Sequence, residues 1–108
     1  MNYKVLTIAP FEKQFKRLAK KYPSLKTEIV ILINELGNEP DKGIALGNAC
    51  YKIRLSIASK GKGKSGGARV ITYFAITDKA VFLLSIYDKS EQPDIADKEL
   101  LRLLDLTK

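Results

Sequence analysis

The chain has 108 residues, 45% of them hydrophobic and 29% charged, with a net charge of +7. That supports one modest core and excludes both a disordered composition and the ~20-residue apolar run that spans a membrane. Having no histidine and one cysteine, Cys50, it also excludes an internal disulfide framework, histidine-based nucleophilic catalysis and most zinc or transition-metal sites.

Lone Cys50 fits a reducing cytoplasm, and MNYKVLTIAP is too short and too polar for a signal peptide. The expectation is a cytoplasmic protein whose residues 1–108 form a single domain. Residues 3–8 (YKVLTI) read as a short strand, rich in β-branched side chains. Ala9-Pro10 opens a helix, with proline where a missing N–H costs nothing. Phe11, Phe15, Leu18, Ala19 and Tyr22 then recur at helical spacing as a buried face. Lys13, Lys16, Arg17, Lys20 and Lys21 lie opposite. This basic face suits an RNA surface as well as plain solvation.

Pro23 starts a second helix, with Leu25, Ile29, Leu32, Ile33 and Leu36 inward and Gly37 as its stop, giving an antiparallel helical hairpin. Residues 38–48 (NEPDKGIALGN) read as a loop. From Ala49 the period becomes two: Tyr51, Ile53, Leu55 and Ile57 alternate with Cys50, Lys52, Arg54 and Ser56. Lys60–Gly67 is a glycine-lysine loop. Residues 69–76 and 80–87 are two further strands of an antiparallel meander, and Pro93-Asp94 leads into a last helix with Ile95, Leu100, Leu103 and Leu104 inward. The order βααβββα defines an α+β domain with helices packed on a small, mainly antiparallel sheet. Alternation puts Lys52, Arg54 and Arg69 on its open face, and a one-residue slip would reverse that placement.

Charge is unevenly distributed. Residues 43–77 contain no Asp or Glu and carry +6, whereas residues 78–108 carry −2. Positive charge gathered on two strands and their connection gives a polyanion a defined place to sit, and nucleic acid is the commonest such partner. Lys52, Arg54 and Arg69 could converge on one phosphate, their guanidinium groups supplying forked hydrogen bonds. The run ASKGKGKS at 58–65 satisfies a loosened phosphate-loop pattern, but a true phosphate loop runs from strand into helix and here a strand follows. Tyr87 and Lys89 at the end of the last strand could complete a catalytic set beside Arg69; they fit a simple turn equally well. Any acid-base group must be Lys, Arg, Tyr, Asp, Glu or the substrate itself.

Taken together, the proline-started hairpin, Cys50-Tyr51-Lys52-Ile53-Arg54-Leu55, the Ser59–Arg69 loop and LLSIYDKSE at 83–91 resemble a RelE/HigB-type toxin of a bacterial type II toxin-antitoxin system, the last two being similar to its HigB-like branch. The resemblance covers nearly the whole chain. It implies the RelE fold and a ribosome-dependent endoribonuclease that cuts messenger RNA in the A site. Cleavage is then a metal-independent attack of the ribose 2′-OH on the adjacent phosphate, needing no cofactor. Residue by residue, it implies Lys52 as base candidate, Arg54 as phosphate ligand, Arg69 as holder of the scissile phosphate and Lys89 as general-acid candidate.

The RelE catalytic tyrosine falls near Ile95 here, so either Tyr87 takes its role or this branch works without it. Lys13, Lys16, Arg17, Lys20, Lys60, Lys62 and Lys64 are the expected RNA and ribosome contacts. The implied partners are the 70S ribosome with its mRNA and a cognate antitoxin, a HigA-like helix-turn-helix protein. Two other readings stand beside this one: a ParE-type toxin that poisons gyrase by binding, and a non-catalytic RNA-binding module using Tyr51, Tyr73 or Tyr87 for stacking.

Overall fold

A computed structural model describes residues 2–61 and 66–108. The order is β1 (Lys4–Thr7), α1 (Ala9–Lys21), α2 (Leu25–Asn38), β2 (Ile44–Gly47), β3 (Cys50–Leu55), a 3₁₀ turn (Ala58–Lys60), β4 (Ala68–Ala75), β5 (Ala80–Asp88) and α3 (Asp97–Asp105). One five-stranded sheet runs β1-β5-β4-β3-β2. The expected meander is present as β3-β4-β5, and β1 adds a parallel pairing on β5. No helix among the described residues is long and apolar enough to cross a membrane.

Pro10 sits in the first turn of α1, and Lys20 and Lys21 in the last, where they complement the helix dipole. Pro23 ends α1 because the residue before a proline is driven out of the helical region, and Tyr22 is extended. Two boundaries of α2 differ from expectation. It begins at Leu25 after a Pro23-Ser24 turn, and it runs past Gly37 to Asn38. Gly37 does not adopt the left-handed conformation of a helix stop; Pro40 forces the exit at Glu39 instead.

Residues 44–47, expected in a loop, form edge strand β2, antiparallel to β3. The connection is the two-residue turn Asn48-Ala49, with φ of 55° and 60°, the left-handed geometry that matches strand twist. A four-residue, largely exposed strand carries no alternating pattern to betray it. Gly43 lets β2 approach: a Cβ there would lie 2.5 Å from the Lys52 carbonyl oxygen.

Register divides the sheet into two faces. Ile53, Val70 and Ile86 are cross-strand neighbours and buried on the side covered by α1 and α2. Arg54, Arg69 and Tyr87 form the next row, on the opposite side. Leu84 is an extra residue in β5, because Ile71 pairs with Ser85 and Thr72 with Leu83. This bulge resets the alternation of β5, so that Phe82 stacks on Tyr73, centroids 6.1 Å apart. Tyr73 lies beside Leu101 and Leu104 of α3. The third helix therefore occupies one end of the Arg69 face and leaves the other end to the basic residues.

Candidate functional site

Arg54, Arg69 and Tyr87 come from three adjacent strands and stand side by side, with Lys52 one step along β3. Arg69 is the best held: on the central strand β4 it is only 5% exposed, and its guanidinium donates to the Ala68 carbonyl at 3.1 Å. Arg54 lies on the more peripheral β3 and is exposed. Tyr87 is buried, and among the described residues its hydroxyl has no hydrogen-bond partner. Burial pushes that hydroxyl up to about 12, reinforced by the Asp94 carboxylate and opposed by Arg69. Asp94 thus stands beside the Tyr87 hydroxyl.

Asp94 is the unexpected member. Instead of serving the N-terminus of α3, which begins three residues later, its Oδ1 accepts from the Ile95 N–H at 2.9 Å and from Lys52 Nζ at 3.3 Å. Lys89 Nζ, donating to the Pro93 carbonyl at 3.3 Å, adds a further positive charge nearby. The Ile95 N–H, then Lys52 and Lys89, hold the Asp94 carboxyl below its usual value against the cost of lost hydration. Lys52, a base candidate from the sequence, rests against a carboxylate.

A second network fixes the root of the basic loop. Lys60 Nζ pairs with the buried Asp88 carboxylate and donates to Ser90 Oγ at 3.1 Å. Asp88 also accepts from Tyr22 Oη at 2.9 Å, Ser90 N at 2.9 Å and Ser90 Oγ at 2.7 Å. Burial alone would raise the Asp88 carboxyl; Lys60, Ser90 and Tyr22 outweigh it and hold it far below the carboxylate range. The 3₁₀ turn is stitched to α2 as well, since Ala58 N donates to Glu28 Oε2 at 2.7 Å and Ser59 N to Ser24 Oγ at 2.9 Å. Across the loop, Gly67 permits close approach: a Cβ there would lie 2.2 Å from the Leu55 carbonyl oxygen. The phosphate-loop resemblance ends in strand β4, as its flanking sequence predicts.

The structure therefore brings Lys52, Arg54, Arg69, Tyr87 and Lys89 to one end of one sheet face. It turns Lys60 inward, away from the expected RNA-contacting role. Lys62 and Lys64 lie outside the described residues. Lys13, Lys16 and Lys20 are exposed on α1, while Arg17 and Lys21 reach Glu91 at 3.0 and 3.4 Å. Among the described residues no three His, Cys, Asp or Glu side chains converge on a metal position. Cys50 is buried, and burial pushes its thiol up to about 11, away from nucleophilic use. Sequence reasoning missed the partners of the lysines, Asp88 and Asp94. The available signal was the acidic excess of residues 78–108 beside the basic segment.

A three-helix, five-stranded α+β domain with a cationic row at one end of its sheet is the class this geometry defines. The family model described as the RelE toxin of the RelE/RelB toxin-antitoxin system matches residues 11–108. The chain belongs to the RelE toxin family. Solved structures agree in fold. An E. coli RelE with two arginine-to-alanine substitutions, in the free state, aligns at TM-score 0.65 and 15% identity over 97% of each chain. A chain of the intact E. coli RelBE toxin-antitoxin complex aligns at 0.52 and 22% identity over 80% of this chain and 95% of that one. The isolated E. coli RelE toxin aligns at 0.52 and 18% identity, over 95% and 97% respectively.

Proposed function

We propose that this toxin is a ribosome-dependent endoribonuclease that cuts mRNA in the A site. The observation that carries the reading is the row Arg54–Arg69–Tyr87, in register across three strands, with Lys52 beside it. In the reaction the ribose 2′-oxygen attacks the adjacent phosphorus, the P–O5′ bond breaks, and a 2′,3′-cyclic phosphate and a 5′-hydroxyl result. The pentavalent transition state carries extra negative charge on its oxygens. A preorganised guanidinium at a largely dehydrated position, as Arg69 supplies, stabilises that charge more than it stabilises the ground state. Arg69, fixed on β4, is the principal phosphate ligand, and Arg54 is the second.

Lys52 is the group placed to take the 2′-OH proton once its Asp94 contact is exchanged for substrate. Tyr87 is held protonated by its raised pKa; its buried hydroxyl, without a partner among the described residues, donates to the reacting phosphate once Asp94 moves aside, and Lys89 supplies a proton to the departing 5′-oxygen. Lys13, Lys16 and Lys20 on α1 form an outer cationic strip for ribosomal RNA. The site of action is cytoplasmic, residues 1–108 act as one domain, and the chain falls in the HigB-like branch. An antitoxin partner, of HigA-like helix-turn-helix type, would neutralise the toxin, with an acidic segment complementing the basic face.

Primer extension on a defined mRNA, with and without ribosomes, tests the reading. Cuts within A-site codons are expected only with ribosomes. Arg69→Ala should lower their rate by about 10²–10³-fold, the usual loss when one preorganised transition-state donor is removed. A folded, toxic wild type that leaves the mRNA intact would overturn it and favour gyrase poisoning.

A further inference from the structure

The cationic row already contains an anion of its own. Asp94 lies on the segment between β5 and α3, where its carboxylate pairs with Lys52 at 3.3 Å and acts electrostatically on both Tyr87 and Lys89. These are three of the five groups assigned to the reaction, so one carboxylate engages the same cationic cluster that the substrate's anionic phosphate has to enter. Its hold there is light. The side chain is 63% exposed, belongs to no helix or strand, and makes a single ion pair at the long end of hydrogen-bond distance. Two like charges cannot share Lys52 without strong repulsion.

We propose that Asp94 is a built-in competitor for the substrate phosphate, which occupies Lys52 in the free toxin and must swing away when RNA enters. This rests on the nuclease reading of the site and adds its regulation. Free polyanions meet a site whose lysine is already paired. An RNA held in the correct register also engages Arg54 and Arg69, and with those contacts it displaces the carboxylate. The exchange costs little backbone order, because the second contact of the Asp94 carboxylate, the adjacent Ile95 N–H, is local.

The test uses inorganic phosphate as probe, followed by backbone amide NMR shifts of Lys52, Tyr87 and Lys89 in the full chain. Asp94→Asn keeps an oxygen for the Ile95 N–H and removes the charge; Asp94→Ser is a second variant with the same property. Both should bind phosphate roughly two- to fivefold more tightly than wild type, the range of a partly exposed ion pair. Adding Lys52→Met to Asp94→Asn should abolish that gain. Equal or weaker phosphate binding in the folded Asp94 variants would overturn the proposal. So would a gain that persists without Lys52. Failure of the nuclease reading has a different signature: absent ribosome-dependent cuts by wild type, which the phosphate titration does not register.

Discussion

Two lysine–aspartate pairs flank the end of β5, and they are built for opposite purposes. In Lys60–Asp88 the side chains are 9% and 0% exposed, and the carboxylate is saturated by Tyr22 and Ser90 besides the lysine. In Lys52–Asp94 they are 24% and 63% exposed, and the carboxylate has one lysine and one adjacent N–H. Charge, residue types and sequence neighbourhood are nearly the same in both. The difference is the face of the sheet: Asp88 points with Ile86 toward α1 and α2, while Asp94 reaches over the row of Tyr87. Burial with complete hydrogen bonding makes an ion pair an anchor, because neither charge has an alternative partner. Partial exposure makes the other exchangeable, since water or another anion can replace either member.

The largest effect should come from breaking the anchor. Asp88→Ala leaves Lys60 without its buried counter-ion and the Tyr22 hydroxyl without its acceptor, and should cost about 3–5 kcal/mol in urea-induced unfolding. Asp94→Ala should stay within about 0.5 kcal/mol of wild type. Similar losses for the two variants would erase the distinction. In the anchor variant the root of the basic loop also loosens, so ribosome-dependent cleavage should fall even under conditions where the chain remains folded.

Acid sharpens the same contrast. The folded-state Asp88 carboxyl is held far below its unfolded value of about 3.9, so the stability it contributes is present above that value. The contribution is lost progressively as pH falls below about 4 toward the folded-state value. Urea midpoints measured from pH 6 down to pH 2 should therefore fall more steeply for wild type than for Asp88→Asn. Asp94→Asn should follow wild type closely, its carboxyl being lowered by weaker, exposed contacts. Parallel curves for wild type and Asp88→Asn would show that the buried pair is not the acid-sensitive element.

How much of this contrast the sequence shows depends on the face. Alternation alone placed Lys52 and Arg54 together, and the absence of acid between Gly43 and Thr77 marked the site, because strand period and net charge are local properties. The proline-started hairpin was legible for the same reason. β2 was not: four mostly exposed residues gain their strand geometry from pairing with β3 and from the Asn48-Ala49 turn, neither of which leaves a hydrophobic pattern. Lys60 was legible as a charge but not as an anchor, since its partner is 28 residues away across the loop. Asp88 closes a hydrophobic strand run, and the tertiary positions of Lys60 and Tyr22, with the local Ser90 contacts, explain why an acid can be buried there. The role of Asp94 is likewise invisible locally, because it lies in the path of Lys52 from a different element.

A small stability effect, and the most discriminating one, belongs to Tyr87, which immediately precedes Asp88 but faces the Asp94 side. Its hydroxyl is buried without a partner among the described residues. Tyr87→Phe removes a desolvated polar group and keeps the ring, so stability should be unchanged or rise by up to about 1 kcal/mol. Catalysis should move the other way. A hydroxyl kept unpaired and protonated inside a cationic row is stored capacity for a hydrogen bond that forms only with substrate, and losing it should slow ribosome-dependent cleavage by about tenfold or more. A variant both more stable and slower would place Tyr87 on the exchangeable side of the contrast, its cost in the free protein recovered in the transition state. Stability lost with cleavage unchanged would instead make Tyr87 part of the Asp88 anchor and leave the reaction to the lysines and arginines alone.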